Sequence, residues 1–210
     1  MEGKPLSENS NATNLLKFIL AVMLLPVTIG ISVSFYLQLE VAGAPVVHKV
    51  FAGILSFLFF YLFVGEPQAL YQKGQAVVEG IFRVFAPLVK AASLCLPLYT
   101  LLFLATFVIT STGLQSSKYN SFLLFMIGFS FMFHCVFTAK ALRSQQSDFL
   151  RAHYLFSIEL VYIFNIIVIS AAFNYLIKGF SFVDFLHRTW ALAQYVYNGV
   201  FDQLFLFVRK

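Results

Sequence analysis

Two unbroken apolar runs, MLLPVTIGISVSFYL over Met23–Leu37 and FAGILSFLFFYLFV over Phe51–Val64, decide the solvent in which this chain can fold. Both are apolar on every side of a helix, so neither leaves a face for water. Crossing the ~30 Å hydrocarbon layer takes roughly 20 apolar helical residues, and several segments here reach that length without a run of charges. A transmembrane β-barrel would instead show segments of about 10 residues in which apolar and polar positions alternate. The expected fold is therefore all-α: a polytopic helical bundle of five or six transmembrane helices with one or two interfacial amphipathic helices.

Composition agrees. Hydrophobic residues make up 60% of the chain and charged residues 11%, with a mean hydropathy of +0.84, which leaves too little polar surface for a water-soluble domain of 210 residues. The 14 Lys and Arg against nine Asp and Glu give a formal +5, but these charges are dispersed among loops, where they set membrane orientation and offer no nucleic-acid footprint. Cys95 and Cys135 both fall in apolar segments and fit neither a disulfide framework nor a CxxC metal site.

The chain reads as a single transmembrane domain over 1–210, opening with a polar tail over 1–14 that lacks the features of a removable signal peptide, so the first span is expected to stay as an anchor. Asn11-Ala12-Thr13 matches a glycosylation sequon by pattern alone. The first span covers about Leu15–Leu39, where Gly30, Ser32 and Ser34 form a small-residue patch that admits a close neighbour and Pro26 can kink the helix. The AGAP turn at Ala42–Pro45 leads to a second span ending near Val64, stopped by Gly65–Gln68. Over 70–90, Lys73, Glu79, Arg83 and Lys90 recur at helical spacing among Val77, Val78, Ile81, Phe82, Phe85 and Val89, which predicts an amphipathic helix at the interface. A third span is expected over Ala91–Thr110, a fourth over Ser121–Ala139 and a fifth over Tyr154–Ile177. The final segment, 181–208, is long enough to cross but carries a polar stripe, so it is either a sixth span or a second interfacial helix.

With six spans and an internal N-terminus, Lys4, Lys17, Lys73, Arg83, Lys90, Lys140, Arg143, Arg151, Arg209 and Lys210 lie inside, and only Lys49, Lys118, Lys178 and Arg188 lie outside. The positive-inside rule then puts both termini in the cytoplasm, and a bacterial inner membrane is the expected location.

Glu159, within YLFSIELVYIFN, is the residue whose position demands a reason. A charged group at mid-membrane costs on the order of 2.5 to 3.5 kcal/mol, so such residues face a bundle interior and find a partner. Spans four and five share a short connector centred near Gln146, with His134 about 12 residues before it and Glu159 about 13 after, so an antiparallel hairpin would bring the two to equal depth. An imidazole and a carboxylate so placed can relay protons, hold a metal, or simply clasp the hairpin; Arg151 and Tyr162 are alternative partners for Glu159.

A second constellation is the terminal stripe, where Asp184, His187 or Arg188, Ala191, Gln194 or Tyr195, Asn198 and Asp202 recur every three to four residues. In a spanning helix this stripe must face protein or water and could line a polar path, with Asn165 and Asn174 of span five as hydrogen-bonding neighbours. In a flat helix it faces headgroups, and Trp190, Tyr195 and Tyr197 are interfacial aromatics. Histidine pairs across helices, His48 with His187 and His134 with His153, admit a third reading as axial ligands of b-type haems.

No GxSxG, HExxH, P-loop or dinucleotide fingerprint occurs, and the loops are short, so no enzyme is expected. The 27 phenylalanines suit packing against lipid chains and other helices. These features favour a non-enzymatic integral membrane subunit of a larger assembly, in envelope transport or biogenesis, needing no cofactor and partnered by the lipid bilayer and by other membrane subunits or copies of itself, with no nucleic acid. The alternatives are a small oligomeric channel or secondary transporter using Glu159 and His134, and a haem-binding redox subunit.

Overall fold

The computed structural model describes residues 8–83, 89–113, 117–144 and 151–206, with side chains over 15–83, 92–110, 120–143 and 154–203. Among these residues eight helices follow in order: α1 (Glu8–Ala42), α2 (Ala44–Phe63), α3 (Gln68–Phe82), α4 (Val89–Cys95), α5 (Leu98–Gly113), α6 (Ser117–Ser144), α7 (Arg151–Leu176) and α8 (Phe182–Leu206). No strand occurs among the described residues. Among the described residues, four helices are long and apolar enough to cross a membrane, over Leu15–Ala42, Ala44–Phe63, Asn120–Arg143 and Tyr154–Leu176.

Two departures from expectation concern helix limits. α1 begins at Glu8, so part of the polar tail expected over 1–14 is helical, and residues 1–7 lie outside the described residues. The third span, expected as one helix over Ala91–Thr110, is broken into α4 and α5 at Leu96–Pro97. The cause is local. Pro97 has no N–H to donate and its ring biases Leu96 away from the helical region, so the ladder stops with Leu96 N–H on the Ala92 carbonyl and resumes with Leu101 N–H on that of Pro97. α5 alone is 16 residues, about 24 Å at 1.5 Å per residue. Of the amphipathic helix expected over 70–90, α3 accounts for 70–82, and residues 84–88 lie outside the described residues.

In lipid the hydrophobic effect does not pull helices together, so close packing at small residues decides which helices pair. α2 lies along α6 and α1 lies along both α7 and α8. The α2–α6 crossing is made by two glycines: a Cβ on Gly53 would stand 2.0 Å from the Phe125 carbonyl oxygen, and one on Gly128 would stand 2.0 Å from that of Val50. Gly30 serves α1 and α8 in the same way, its Cβ position lying 2.8 Å from the Thr189 carbonyl oxygen. Turns at Gly43 (φ 113°) and Gly179 (φ 94°) need the left-handed region that glycine adopts without strain.

Two aromatic cores follow. In the first, Phe35 of α1 stacks on Phe173 of α7 at 5.9 Å and meets Phe180 edge-on at 6.1 Å, closing the α1–α7–α8 side. In the second, Phe57 of α2 packs edge-on to Phe129 and Phe133 of α6, and Tyr71 of α3 stacks on Phe137 at 5.5 Å. α6 and α7, neighbours through a short connector, touch only sparsely. A connector fixes where two helices begin and end; the small-residue faces decide what each lies against.

Candidate functional site

His134 sits between α3, α4 and α6. Its Nε2 lies 3.0 Å from the Leu94 carbonyl oxygen. A carbonyl only accepts, so Nε2 carries the hydrogen and donates it. Thr138 Oγ1 is 3.3 Å from the same nitrogen and 2.8 Å from the Tyr71 hydroxyl, which in turn accepts from Gln75 Nε2 at 3.0 Å. This chain pins α3 to α6, and the Tyr99 hydroxyl adds a bond to the Leu70 carbonyl at 2.7 Å. Burial pushes the Tyr71 phenol up to about 12, with the Thr138 hydrogen bond opposing, so it stays protonated and available as a donor. The cavity beside His134 measures about 10 Å³, room for about one water molecule.

Glu159 lies on the stripe Glu159, Tyr162, Ile166, Ile169 and Phe173 that α7 turns inward. It is 8% exposed, and its Oε2 is buried with no hydrogen-bond partner. No ion pair joins it to His134 among the described residues, so the clasp expected from equal depth is not what holds either side chain. Equal depth fixes height, not facing: His134 turns toward α3 and α4 while Glu159 follows the α7 stripe. Tyr162 bonds Ser32 of α1 at 2.9 Å, not Glu159. Asn165 is buried, giving its Nδ2 to the Val161 carbonyl of its own helix while its Oδ1 finds no partner, and Ser34 and Ser170 likewise bury unpaired hydroxyl oxygens.

Asn174 does meet the terminal helix, though as a cap. Its Oδ1 accepts the Phe182 N–H at 3.0 Å, and Ser181 Oγ accepts the Asp184 N–H at 3.2 Å, so α8 starts with two of its orphan donors satisfied. Gln38 of α1 accepts the Ser181 N–H at 3.3 Å. Farther along, the Tyr197 hydroxyl donates to the Met23 carbonyl. α8 thus runs antiparallel to α1 from Gly179 beside Val41 to Tyr197 beside Met23. Phe185, Thr189 and Ala193 face α1 and are buried. Asp184, His187, Arg188, Gln194, Asn198 and Asp202 face away from the bundle and are exposed. The stripe is therefore an outer face, not the lining of a path between helices of one chain.

Between α1, α2, α6 and α7 the sparse α6–α7 contact leaves an apolar cleft of about 710 Å³, walled by residues such as Phe35, Ile54, Phe131, Met132, Val136 and Ile166. Ala139 lines this cleft and also a second one of about 580 Å³ toward the end of α6, whose other walls are Tyr61, Glu66, Lys140, Arg143 and Tyr154. There Glu66 pairs with Lys140 and accepts from the Tyr61 hydroxyl at 3.2 Å. The Lys140 hydrogen bond holds the Glu66 carboxyl below its ordinary value, against partial desolvation.

The histidines considered for haem sit in unlike surroundings. His48 and His187 are exposed, His134 is committed to Leu94, and the side chain of His153 lies outside the described residues. Among the described residues no three His, Cys, Asp or Glu side chains group to hold a metal ion. Comparison of the chain with protein-family models, curated proteins and solved structures finds no match.

Proposed function

We propose that this chain is a non-enzymatic integral membrane subunit of a larger assembly, serving envelope transport or biogenesis in a bacterial inner membrane, and that it docks on another membrane protein through the polar face of α8. The reading takes α8 as a sixth crossing, after the four long helices and the broken α4–α5 pair, with both termini cytoplasmic. Its support is the shared axis of α1 and α8. Contacts from Val41 down to Met23 extend over about 27 Å at 1.5 Å per residue, whereas a helix lying flat in the interface would touch a spanning α1 at a single crossing.

At that depth lipid cannot satisfy Asp184, Arg188, Gln194 or Asn198, so protein has to. A second copy is a poor match. Two copies inserted the same way pair about an axis normal to the membrane, which sets each residue near its own equivalent, Asp184 toward Asp184 and Asp202 toward Asp202. A partner helix of complementary charge fits better.

Purification in mild detergent followed by mass determination tests this. The expected result is a stoichiometric membrane-protein partner that is lost in Arg188→Leu. Migration of the wild-type chain alone, or only with itself, would contradict it.

A further inference from the structure

The two clefts that share Ala139 differ in chemistry in the way the two ends of a phospholipid do. The inner one is walled mainly by apolar side chains, with Ser32, Tyr36 and Tyr162 as its polar members. The outer one is lined by Lys140, Arg143, Glu66 and two tyrosines, Tyr61 and Tyr154. Along α6 they run from Phe131 to Arg143, about 18 Å of helix, so one molecule can occupy both. We propose that this groove is a binding site for an anionic phospholipid, with an acyl chain lying between α1, α6 and α7 and the phosphate held at the Arg143 guanidinium.

The charges of the mouth point to an anion. Among the described residues that line it, Lys140 and Arg143 outweigh the one carboxylate, Glu66, and Glu66 is already engaged by Lys140 and Tyr61. Arg143 is exposed and has no carboxylate partner among the described residues. Its planar fork suits a phosphate, which can accept two parallel N–H bonds. Basic pockets between transmembrane helices are recurrent sites for anionic headgroups. A zwitterionic lipid can fill the apolar cleft equally well, since the chains are the same; only the mouth separates the two. This inference rests on the membrane placement of α6 and α7 and is independent of what α8 docks on.

The test is lipid binding to the purified, delipidated chain in detergent, followed by native mass spectrometry with dioleoyl phosphatidylglycerol, dioleoyl phosphatidylcholine or inorganic phosphate as the probe. Phosphatidylglycerol is expected to bind roughly fivefold tighter than phosphatidylcholine, the worth of one cation near an anionic headgroup. Arg143→Gln should abolish that preference. Glu66→Gln, which removes the competing carboxylate and frees Lys140, should raise it by roughly another fivefold. Ala139→Phe, at the junction, should weaken both lipids together. Equal binding of the two lipids to the wild type, or a preference that neither charge variant moves, would overturn the proposal. So would inorganic phosphate displacing phosphatidylglycerol at equal concentration, because that would make the mouth a free-anion site. Both charge variants lie at exposed positions, so their outcome stands even if Ala139→Phe fails to fold.

Discussion

Gly30 of α1 lies so close to Thr189 of α8 that a Cβ added at Gly30 would stand 2.8 Å from the Thr189 carbonyl oxygen and 3.2 Å from the Ala193 nitrogen. Both atoms are backbone and cannot rotate aside. Gly30→Leu should therefore part the two helices, at a cost of about 1–3 kcal/mol typical of overpacking. With Cys95 and Cys135 first replaced by alanine, cysteines introduced by Met23→Cys and Tyr197→Cys should be bridged by a short bifunctional thiol reagent in the parent, and less efficiently when Gly30→Leu is added.

The α2–α6 crossing makes a similar demand twice. Gly53→Ala and Gly128→Ala each place a methyl group 2.0 Å from a carbonyl oxygen of the facing helix, so each should lower thermal stability by about 1–3 kcal/mol. Gly80, whose Cβ position meets nothing within 4 Å, should accept alanine with no loss and a gain of up to about 1 kcal/mol from helix propensity. Melting curves in one detergent compare all three.

His134 and Glu159 should respond oppositely to removal. His134→Ala strands the Leu94 carbonyl and loosens Thr138 from its network, which should cost about 1–3 kcal/mol. Glu159→Met takes away a buried oxygen that bonds to nothing, so the melting temperature should hold or rise. A large loss in Glu159→Met would mean that the carboxylate has a structural partner after all.

The Glu66–Lys140 tie carries a definite pH dependence. The folded state holds the Glu66 carboxyl below its ordinary value of 4.5, so its contribution is complete above that value and is lost as pH falls through the lowered one. The difference in melting temperature between wild type and Glu66→Gln should be constant from neutrality down to about pH 5 and close below that. A difference that instead closed between pH 6 and 8 would assign it to another group.

How much of this was legible in the sequence depends on the kind of interaction. Length and apolarity mark the four long helices because lipid imposes both, and the small-residue patch at Gly30 marks a close contact because only small side chains permit one. Asn174 was recognisable as a neighbour of the terminal helix, though its use as a cap for Phe182 depends on the Gly179 turn. Gly53 and Gly128 are single glycines in apolar runs, and nothing local tells such a glycine from a chance one. The pairing of His134 with Glu159 was drawn from depth alone. Depth counts residues from the connector, but contact also depends on the direction each side chain faces, which Tyr71, Leu94 and Ser32 decide from distant parts of the chain. Pro97 falls inside the span expected over Ala91–Thr110, and that it divides the span outright followed from the Leu96 backbone.

The depth of α8 is the central claim, and the chain's single tryptophan reports it. Trp190 is exposed on α8 next to Thr189, which faces Gly30 inside the first long apolar helix. In bilayers of the purified chain, quenching of its fluorescence by lipids brominated near the chain terminus should exceed quenching by lipids brominated near the headgroup. Stronger quenching by the shallow label would put α8 in the interface and contradict the account.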